Sequence, residues 1–422
     1  MVLMSASNEP LDLRRRNRRF GIFSLLLAVL AVWLFATDVA GLDATIRLDS
    51  SLAGGSGSQI GDLVLPVGVT AIVLGILVAF IGGVQIARGF GDRTNAWVGI
   101  AVGLFVLAFL TWAARGATLP MADLLRATVR ASVPLLLGAL SGVVCERSGG
   151  LNIAIEGQLL IGAFTGALIG STASNAIAGA VAGMVAGALI GWVLAVLAIK
   201  FRTNQIVAGV VLIVFATGLT SFLNTQIFSR SPDLNAPSKF RAVEIPLLSD
   251  IPGLGPVLFH HTLLVYAALL TLVLIHYGLF YTRWGLRLRS VGEHPKAADT
   301  VGINVLRTRY QAVILGGILA GLGGAFLSLD AASQFSEQMS GGKGFIALAA
   351  MLAGRYNPRG AFGAALVFGF ADALATSLQI LAIGIPSTLL RTAPYVATIF
   401  VVAGLVGRLR MPAADGVAYV KE

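Results

Sequence analysis

A small set of polar and aromatic residues lies in otherwise apolar stretches of this chain. The set is Asn152, Glu156, Gln158, Lys343, Phe345 and Asp372. A charged side chain near the centre of a bilayer costs about 2.5–3.5 kcal/mol, so it needs a partner or a polar cavity. Amides and carboxylates hydrogen-bond polar solutes, and aromatic rings stack on flat ones. These residue types predict recognition of a solute rather than covalent chemistry.

Each of these residues has a structural interpretation beside the functional one. Asn152 and Glu156 are four apart, so they would share one helix face, and Glu156 would be favoured by the positive end of the helix dipole. Together with Gln158 they either stabilise a helix start or line a translocation path. Asp372 is expected to face a path or a dimer interface, because no basic residue lies on its own helix.

Lys343 and Phe345 begin a short apolar segment that ends at Gly354, which is too short to cross a bilayer alone. Interrupted helices are tolerated at membrane depth only where they are buried in protein or line a cavity. Transporters often bind substrate at such broken helices. The segment is therefore a candidate half-helix beside a path, where Phe345 either stacks on a flat solute or packs in the core.

The sequence shows no recognisable motif for metal or nucleotide binding. His260 and His261 have no Cys, Asp or Glu at ligand spacing, so they are interpreted as interfacial residues. Gly342 and Lys343 do not complete a phosphate-binding loop, because Glu337 stands where its first glycine is needed. The chain is therefore expected to hydrolyse no ATP itself and to hold no metal or cofactor.

The composition is that of a polytopic membrane protein. Hydrophobic residues make up 56% and charged residues 12% of the chain, against about 25% charged in soluble domains. This excludes a water-soluble enzyme, a nucleic-acid-binding domain and, with one cysteine, a secreted disulfide scaffold. The net charge of +10 is attributed to positive loops retained on the cytoplasmic side. Glycine runs at small-xxx-small spacing indicate close helix packing.

Apolar windows of spanning length predict an all-α helix bundle in membrane lipid, with about twelve crossings that include short or broken helices. The windows fall near 20–37, 63–87, 95–114, 131–145, 152–171, 176–199, 205–223, 262–281, 309–330, 343–355, 360–383 and 386–407. Whether 152–171 and 343–355 cross fully is left open. Basic residues in the tail 1–19 and in the loop 282–308 place both termini in the cytoplasm. Arg115, Arg126 and Arg130 then fall outside, so a surface helix before Ala131 is expected.

Two loops interrupt this bundle. Residues 224–261 contain five prolines and are predicted to form an external loop. In the basic loop 282–308, Pro295 is predicted to begin a short helix that Gly302 ends. Its residues Ala297, Ala298 and Val301 would then present a small, smooth face for docking into a groove of another protein. An ordinary surface loop is the alternative.

Four stretches in this order resemble the permeases of ATP-binding-cassette importers that carry branched-chain amino acids, simple sugars and nucleosides. The first runs from Glu146 to Gln158 and the second from Gly292 to Val305. The third is the glycine-rich run 319–325, and the fourth runs from Gly342 to Leu374. Asn204 to Gly209, Gly218 to Thr220 and Ala393 to Tyr395 are most similar to the nucleoside branch.

The resemblance implies a multi-pass permease subunit in the bacterial inner membrane. A substrate-binding lipoprotein would deliver the solute, a second permease chain would complete the path, and cytoplasmic ATPase subunits would drive it. The contacts to the ATPase would be made by Gly292, Glu293, Pro295, Ala297, Ala298 and Gly302. The core would span 116–422, while 1–115 would be an N-terminal extension with three transmembrane helices.

Three alternatives remain at this stage. Within the family, the cargo could be a simple sugar or a branched-chain amino acid instead of a nucleoside. From another class, an ion-coupled secondary transporter would move its solute without an ATPase. A membrane-embedded enzyme would need a clustered catalytic set, which the four histidines and scattered acids do not supply at recognisable spacing.

Overall fold

The structure is a computed structural model that describes residues 11–37, 39, 41–49, 61–381, 386–390, 392–405 and 411–421. Its α-helices are α1 Leu11–Phe35, α2 Val67–Ala87, α3 Thr94–Ala113, α4 Met121–Glu146, α5 Ile155–Thr172, α6 Ala176–Ala195, α7 Gln205–Leu223, α8 Leu254–Leu258, α9 Leu263–Tyr281, α10 Arg283–Glu293, α11 Pro295–Thr300, α12 Val305–Phe326, α13 Lys343–Ala353, α14 Pro358–Ile380, α15 Ser387–Leu390 and α16 Ala393–Leu405. The strands are β1 Asp43–Arg47, β2 Leu63–Pro66, β3 Thr118–Pro120, β4 Ala242–Glu244 and β5 His260–Thr262. The predicted helical class is confirmed, with only short strands between the helices.

Nine helices in the described ranges are long and apolar enough to cross a membrane. They are Arg14–Phe35, Val67–Ala87, Thr94–Ala113, Met121–Glu146, Ala176–Lys200, Gln205–Phe228, Leu263–Tyr281, Val305–Ala331 and Pro358–Ile380. Three of them gain length from a terminal π-helical turn, at 196–200, 224–228 and 327–331. The helix α13 is a shorter apolar helix of 11 residues, as the half-helix prediction requires.

The chain divides into two compact units, each described here by itself. The first comprises residues 1–124, 250–256 and 377–386. Its strands form one sheet in the order β2-β1-β3, antiparallel between β1 and β2 and parallel between β1 and β3. Inside its helix bundle, Gln85 of α2 donates a hydrogen bond to Asn17 of α1 at 3.0 Å. This buried amide pair links α1 to α2 inside an otherwise largely apolar bundle.

The second unit comprises residues 125–249, 257–376 and 387–422. Its centre is formed by α5, α6 and α12, which pack through glycines. A Cβ atom placed on Gly187 of α6 would lie 2.6 Å from the Cα atom of Gly321 in α12, and one on Gly162 of α5 would lie 2.8 Å from the same atom. Only glycine permits this approach, so the packing interpretation of the glycine runs is confirmed.

The expected surface helix before Ala131 is wrong, because α4 continues without interruption from Met121 to Glu146 through Pro134. Arg130, one of the arginines that suggested a surface helix, is paired with an acidic residue instead. Arg130 contacts the carboxylate of Asp330 at 2.5 Å, and the Asp330 side chain is only 1% exposed. A buried carboxylate contributed by another helix therefore explains why a basic residue is tolerated on α4.

Candidate functional site

The carboxylate of Glu156 joins the beginnings of two helices. Glu156 lies in the first turn of α5 and is buried. Its Oε1 atom accepts a hydrogen bond from the backbone N–H of Gly342 at 2.8 Å, and its Oε2 atom accepts one from Gly344 at 2.6 Å. Both donors belong to the N-terminus of α13, where unpaired N–H groups and the helix dipole favour an anion. Glu156 therefore acts as the N-terminal cap that α13 lacks in its own sequence.

Glycine is needed at this contact for reasons of space and conformation. A Cβ atom on Gly344 would lie 2.5 Å from the backbone nitrogen of Glu156. Gly342, which precedes α13, has a φ of +79°, in the left-handed region that glycine adopts most readily. The Gly342-Lys343-Gly344 sequence thus serves the junction between α5 and α13.

Asn152 and Gln158 form a separate buried pair. The Nδ2 atom of Asn152 donates hydrogen bonds to Oε1 of Gln158 at 3.0 Å and to Oγ of Ser141 at 3.1 Å. Asn152 precedes α5, which begins at Ile155, so the expectation that Asn152 and Glu156 share a helix face is wrong. Both amides are fully buried, and their contacts tie the segment before α5 to α4.

Lys343 and Asp372 form an ion pair between α13 and α14. The Nζ atom of Lys343 lies 3.7 Å from Oδ2 of Asp372, and both side chains remain partly exposed. Asp372, which is expected to face a path or a dimer interface, thus has a cation from another helix as its partner in this chain. Next to Lys343 on α13, Phe345 is 51% exposed. Lys343 and Asp372 therefore offer charge and hydrogen-bonding capacity, and Phe345 offers an accessible aromatic ring, at the start of α13.

Tyr395 contacts the turn that precedes α13 and was not singled out as a site residue from the sequence. Its hydroxyl donates a hydrogen bond to the carbonyl oxygen of Gly341 at 2.7 Å, and its side chain is exposed. The signal for it was the Ala393-Pro394-Tyr395 ending, which resembles nucleoside permeases but says nothing about its contact with α13. We call Lys343, Phe345, Asp372 and Tyr395 the α13 surface.

The loop predicted over 282–308 consists of two helices, α10 and α11. Pro295 is the first residue of α11, and Gly302, with a φ of +84°, follows its end. The predicted short helix and both of its boundary signals are confirmed. Gly292 packs against the backbone of Arg147, where a side chain would collide with the Arg147 carbonyl oxygen. The loop glycine therefore fits against the stretch that follows α4.

The expected docking face of this short helix is wrong in part. Ala298 is only 3% exposed and packs in a cluster with Val291 and Val305. Ala297 and Val301 remain exposed. Because a helix places residues one apart about 100° around its axis, Ala298 points into the chain while its neighbour points out. A surface partner can contact Ala297 and Val301 but not Ala298.

A groove of about 940 Å³ borders the exposed end of α11. It is lined by Trp284, Leu286, Arg287, Ser290, Val301, Gly302, Ile303, Asn304, Arg307, Thr308 and Gln311. Apolar side chains and two arginines alternate around it. Such a lining suits a protein surface that carries apolar and acidic groups.

His260 and His261 lie in β5, whereas the α13 surface is formed by residues of α13, α14 and α16. Nδ1 of His260 lies 3.1 Å from Oε1 of Glu244, and Nε2 of His261 lies 2.7 Å from the carbonyl oxygen of Val257. Burial lowers the pKa of His261 below its usual value, which favours the neutral ring that donates to that carbonyl. Across the described ranges, no three His, Cys, Asp or Glu side chains are grouped as metal ligands.

Comparison with known proteins gives one consistent result. Residues 124–407 match the family described as the permease component of the branched-chain amino acid transport system. The guanosine ABC transporter permease protein NupQ of Bacillus subtilis is 42% identical over 306 residues, covering 70% of this chain and 95% of that relative. The nucleoside ABC transporter permease protein NupC of Lactococcus lactis is 41% identical over 299 residues, covering 69% of this chain and 94% of the relative.

A third relative is the putative glucose ABC transporter permease protein TsgC13 of Haloferax volcanii, 34% identical over 268 residues, with 63% of this chain and 80% of the relative covered. No solved structure matches the chain. The family match begins at residue 124 and so leaves α1 to α3 outside it. The chain belongs to the permease family of branched-chain amino acid transport systems and is a multi-pass membrane subunit of an ABC importer.

Proposed function

We propose that this permease subunit carries nucleosides inward along a path that includes the α13 surface. The observation that carries the proposal is the exposed group of Lys343, Phe345 and Asp372 at the start of a broken helix. The relatives NupQ and NupC, named for guanosine and nucleoside transport, support the cargo. Transporters often bind substrate at broken helices of this kind.

The chemistry of the α13 surface suits a nucleoside. An exposed phenylalanine ring offers a stacking platform for a base, an interaction worth about 1–3 kcal/mol. The carboxylate of Asp372 can accept hydrogen bonds from ribose hydroxyls, and Tyr395 adds a second ring nearby. The exposure of these residues in the single chain agrees with a path completed by a second permease chain.

Glu156, Asn152 and Gln158 have a supporting role in this proposal. Their side chains are buried and bound to backbone or to each other, so they position α5 and α13 rather than contact the solute. Of the six path candidates in the sequence, only Lys343, Phe345 and Asp372 therefore remain as direct contacts.

The energy for transport would come from ATP hydrolysis by a separate ATPase in the cytoplasm. It would dock on the exposed residues Glu293 of α10 and Ala297 of α11, on the half-buried Pro295, and on Val301 and Gly302, which follow α11 and are exposed. The adjoining groove would complete the docking surface. This assignment places both termini and the α10–α11 side in the cytoplasm, and leaves the loop after α7 outside, where a substrate-binding lipoprotein delivers the nucleoside. Residues 1–115 would form an accessory extension, and the importer core would span 116–422.

Uptake by the assembled importer tests the cargo. The chain is co-expressed with its ATPase, a second permease chain and the binding lipoprotein, and vesicles are loaded with ATP on the cytoplasmic side. We expect accumulation of radiolabelled guanosine and no accumulation of glucose or leucine. Glucose uptake that unlabelled guanosine fails to inhibit would instead establish the sugar alternative, which the resemblance to TsgC13 favours.

Vesicles that contain this chain alone separate the ABC mechanism from an ion-coupled carrier. We expect no accumulation by the chain alone under a proton or sodium gradient, because no ATPase is present to drive it. Accumulation under those conditions would contradict the proposed mechanism whatever solute is carried.

A further inference from the structure

The C-terminal segment, residues 411–421, lies against the α10–α11 loop. The backbone N–H of Ala414 donates a hydrogen bond to the carbonyl oxygen of Gly292 at 2.9 Å. The N–H of Ala413 donates to Oε2 of Glu293 at 3.3 Å. These bonds hold the segment to the end of α10, at the residues that connect it to α11.

The same segment is also held by the helix core. Arg309, buried in the first part of α12, donates from Nη1 to the carbonyl oxygen of Val417 at 2.7 Å and from Nη2 to that of Ala414 at 3.4 Å. Ala414 therefore contacts α10 through its N–H and α12 through its carbonyl. A buried guanidinium with backbone acceptors is a firm anchor, because losing those acceptors would leave the charge poorly solvated.

Side chains near the end of the segment reach α11 itself. Tyr419 packs against the buried cluster of Val291, Ala298 and Val305. Nζ of Lys421 lies 3.6 Å from Oδ1 of Asp299. The inward face of α11 thus rests on the C-terminal segment as well as on α10 and α12.

We propose that the C-terminal segment is a strut that fixes α11 to α12, and that Tyr419 is its positioning residue. This inference rests on the proposed docking of the ATPase at α11. A helix of six residues between two short connections can shift on its own. Tyr419 packs against the cluster that contains Ala298, and Arg309 of α12 holds the segment. A displacement of α11 is therefore transmitted to α12, which packs directly on α5 and α6.

Tyr419→Ala in the complete importer tests the strut, with Val417→Ala as a matched control. Val417 lies in the same segment, but its side chain is exposed and its hydrogen bonds are made by backbone atoms. We expect Tyr419→Ala to keep the co-purifying ATPase and its hydrolysis rate while solute taken up per ATP falls by about tenfold. Val417→Ala should match the wild type in all three measurements.

Other outcomes for Tyr419→Ala overturn the strut. An unchanged ratio of uptake to hydrolysis, whether both rates hold or both fall together, would show that Tyr419 does not transmit motion. Loss of the co-purified ATPase would show that the residue serves docking instead. Failure of the proposed cargo is recognised separately, since wild-type vesicles would then accumulate no nucleoside before any variant is compared.

A reversible cross-link gives a test that does not depend on removing a side chain. Asp299→Cys and Lys421→Cys are combined, and a bis-methanethiosulfonate reagent joins the two thiols; the one native cysteine, Cys145, is buried. A strut moves together with α11, so uptake per ATP should be the same before and after cross-linking. Loss of uptake that a reductant restores would show that the segment must leave the loop during transport, which contradicts the proposal.

Discussion

The side-chain carboxylate of Glu156 lies 2.6 Å from the backbone nitrogen of Gly344, so the first turn of α5 neutralises the open N-terminus of α13. This contact explains two features of the sequence with one interaction. An acidic residue is retained in an apolar stretch, and a glycine is retained at the second position of a short helix. The half-helix can end inside the protein because a neighbouring helix satisfies its N–H groups.

Gly344→Ala should destabilise the protein, because the new Cβ would lie 2.5 Å from the backbone nitrogen of Glu156. Overpacking of this kind costs about 1–3 kcal/mol. Gly363→Ala is the control, since nothing lies within 4 Å of a Cβ atom at that helix position. We expect a lower thermal unfolding temperature for the first variant only. Equal unfolding temperatures would show that the α5–α13 contact is looser than described.

Phe345→Ala should weaken nucleoside uptake by removing the stacking platform. A loss of about 1–3 kcal/mol per base corresponds to roughly 5- to 150-fold in the substrate concentration needed for half-maximal uptake. Phe215→Ala is a matched control, because its ring on α7 is also 51% exposed. Phe345→Trp should retain uptake, since an indole also stacks. Equal half-maximal concentrations for both alanine variants would remove Phe345 from the path.

Arg130→Ala should destabilise the second unit, because it leaves the carboxylate of Asp330, which is only 1% exposed, without the cation that it contacts. Breaking a fully buried pair costs about 3–5 kcal/mol, and we expect a smaller loss here because the Arg130 side chain is 39% exposed. The double variant Arg130→Ala with Asp330→Asn should recover part of that loss, because no buried charge remains. Thermal unfolding of the purified chain measures both. A double variant less stable than the single one would argue that the pair is not electrostatic.

The strength with which the C-terminal segment binds to the helices beside it should depend on pH, because Asp415 lies in that segment. Burial raises the pKa of this carboxyl group from its usual 3.8 to about 6. Hydrogen bonds from Glu146 and from the backbone of Gly416, and the charge of Arg309, lower this pKa, but by less than burial raises it. Because the pKa of Asp415 is raised when the C-terminal segment lies against the helices, protonation stabilises that position. The segment is therefore held most strongly below about pH 3.8, and its binding weakens as the pH rises through about 6.

A spin label at Val420→Cys reports this change, since Val420 is exposed. We expect the label to be less mobile at pH 5 than at pH 7.5. Asp415→Asn, which stays neutral, should give the same restricted mobility at both values. A label equally mobile at pH 5 and pH 7.5 in the wild type would contradict the proposed linkage.

Local patterns predicted the short helix α11 correctly. Proline is preorganised for the first helical turn, and a glycine with positive φ ends a helix at low cost, so Pro295 and Gly302 mark its limits whatever surrounds them. The direction of Ala298 was not predictable in this way. Whether a small side chain faces a partner or its own chain depends on Tyr419, which lies more than a hundred residues further on.

The amino-acid sequence by itself determined that this protein is a helical membrane bundle, where most of its long helices lie and to which family it belongs, because apolar length and short motifs are local properties. The tertiary structure decided which polar groups meet. Glu156 with Gly344, Lys343 with Asp372 and Arg130 with Asp330 join residues separated by 29 to 200 positions, as the sequence numbering shows. A buried charge requires a partner, but its local sequence does not reveal which helix will provide one.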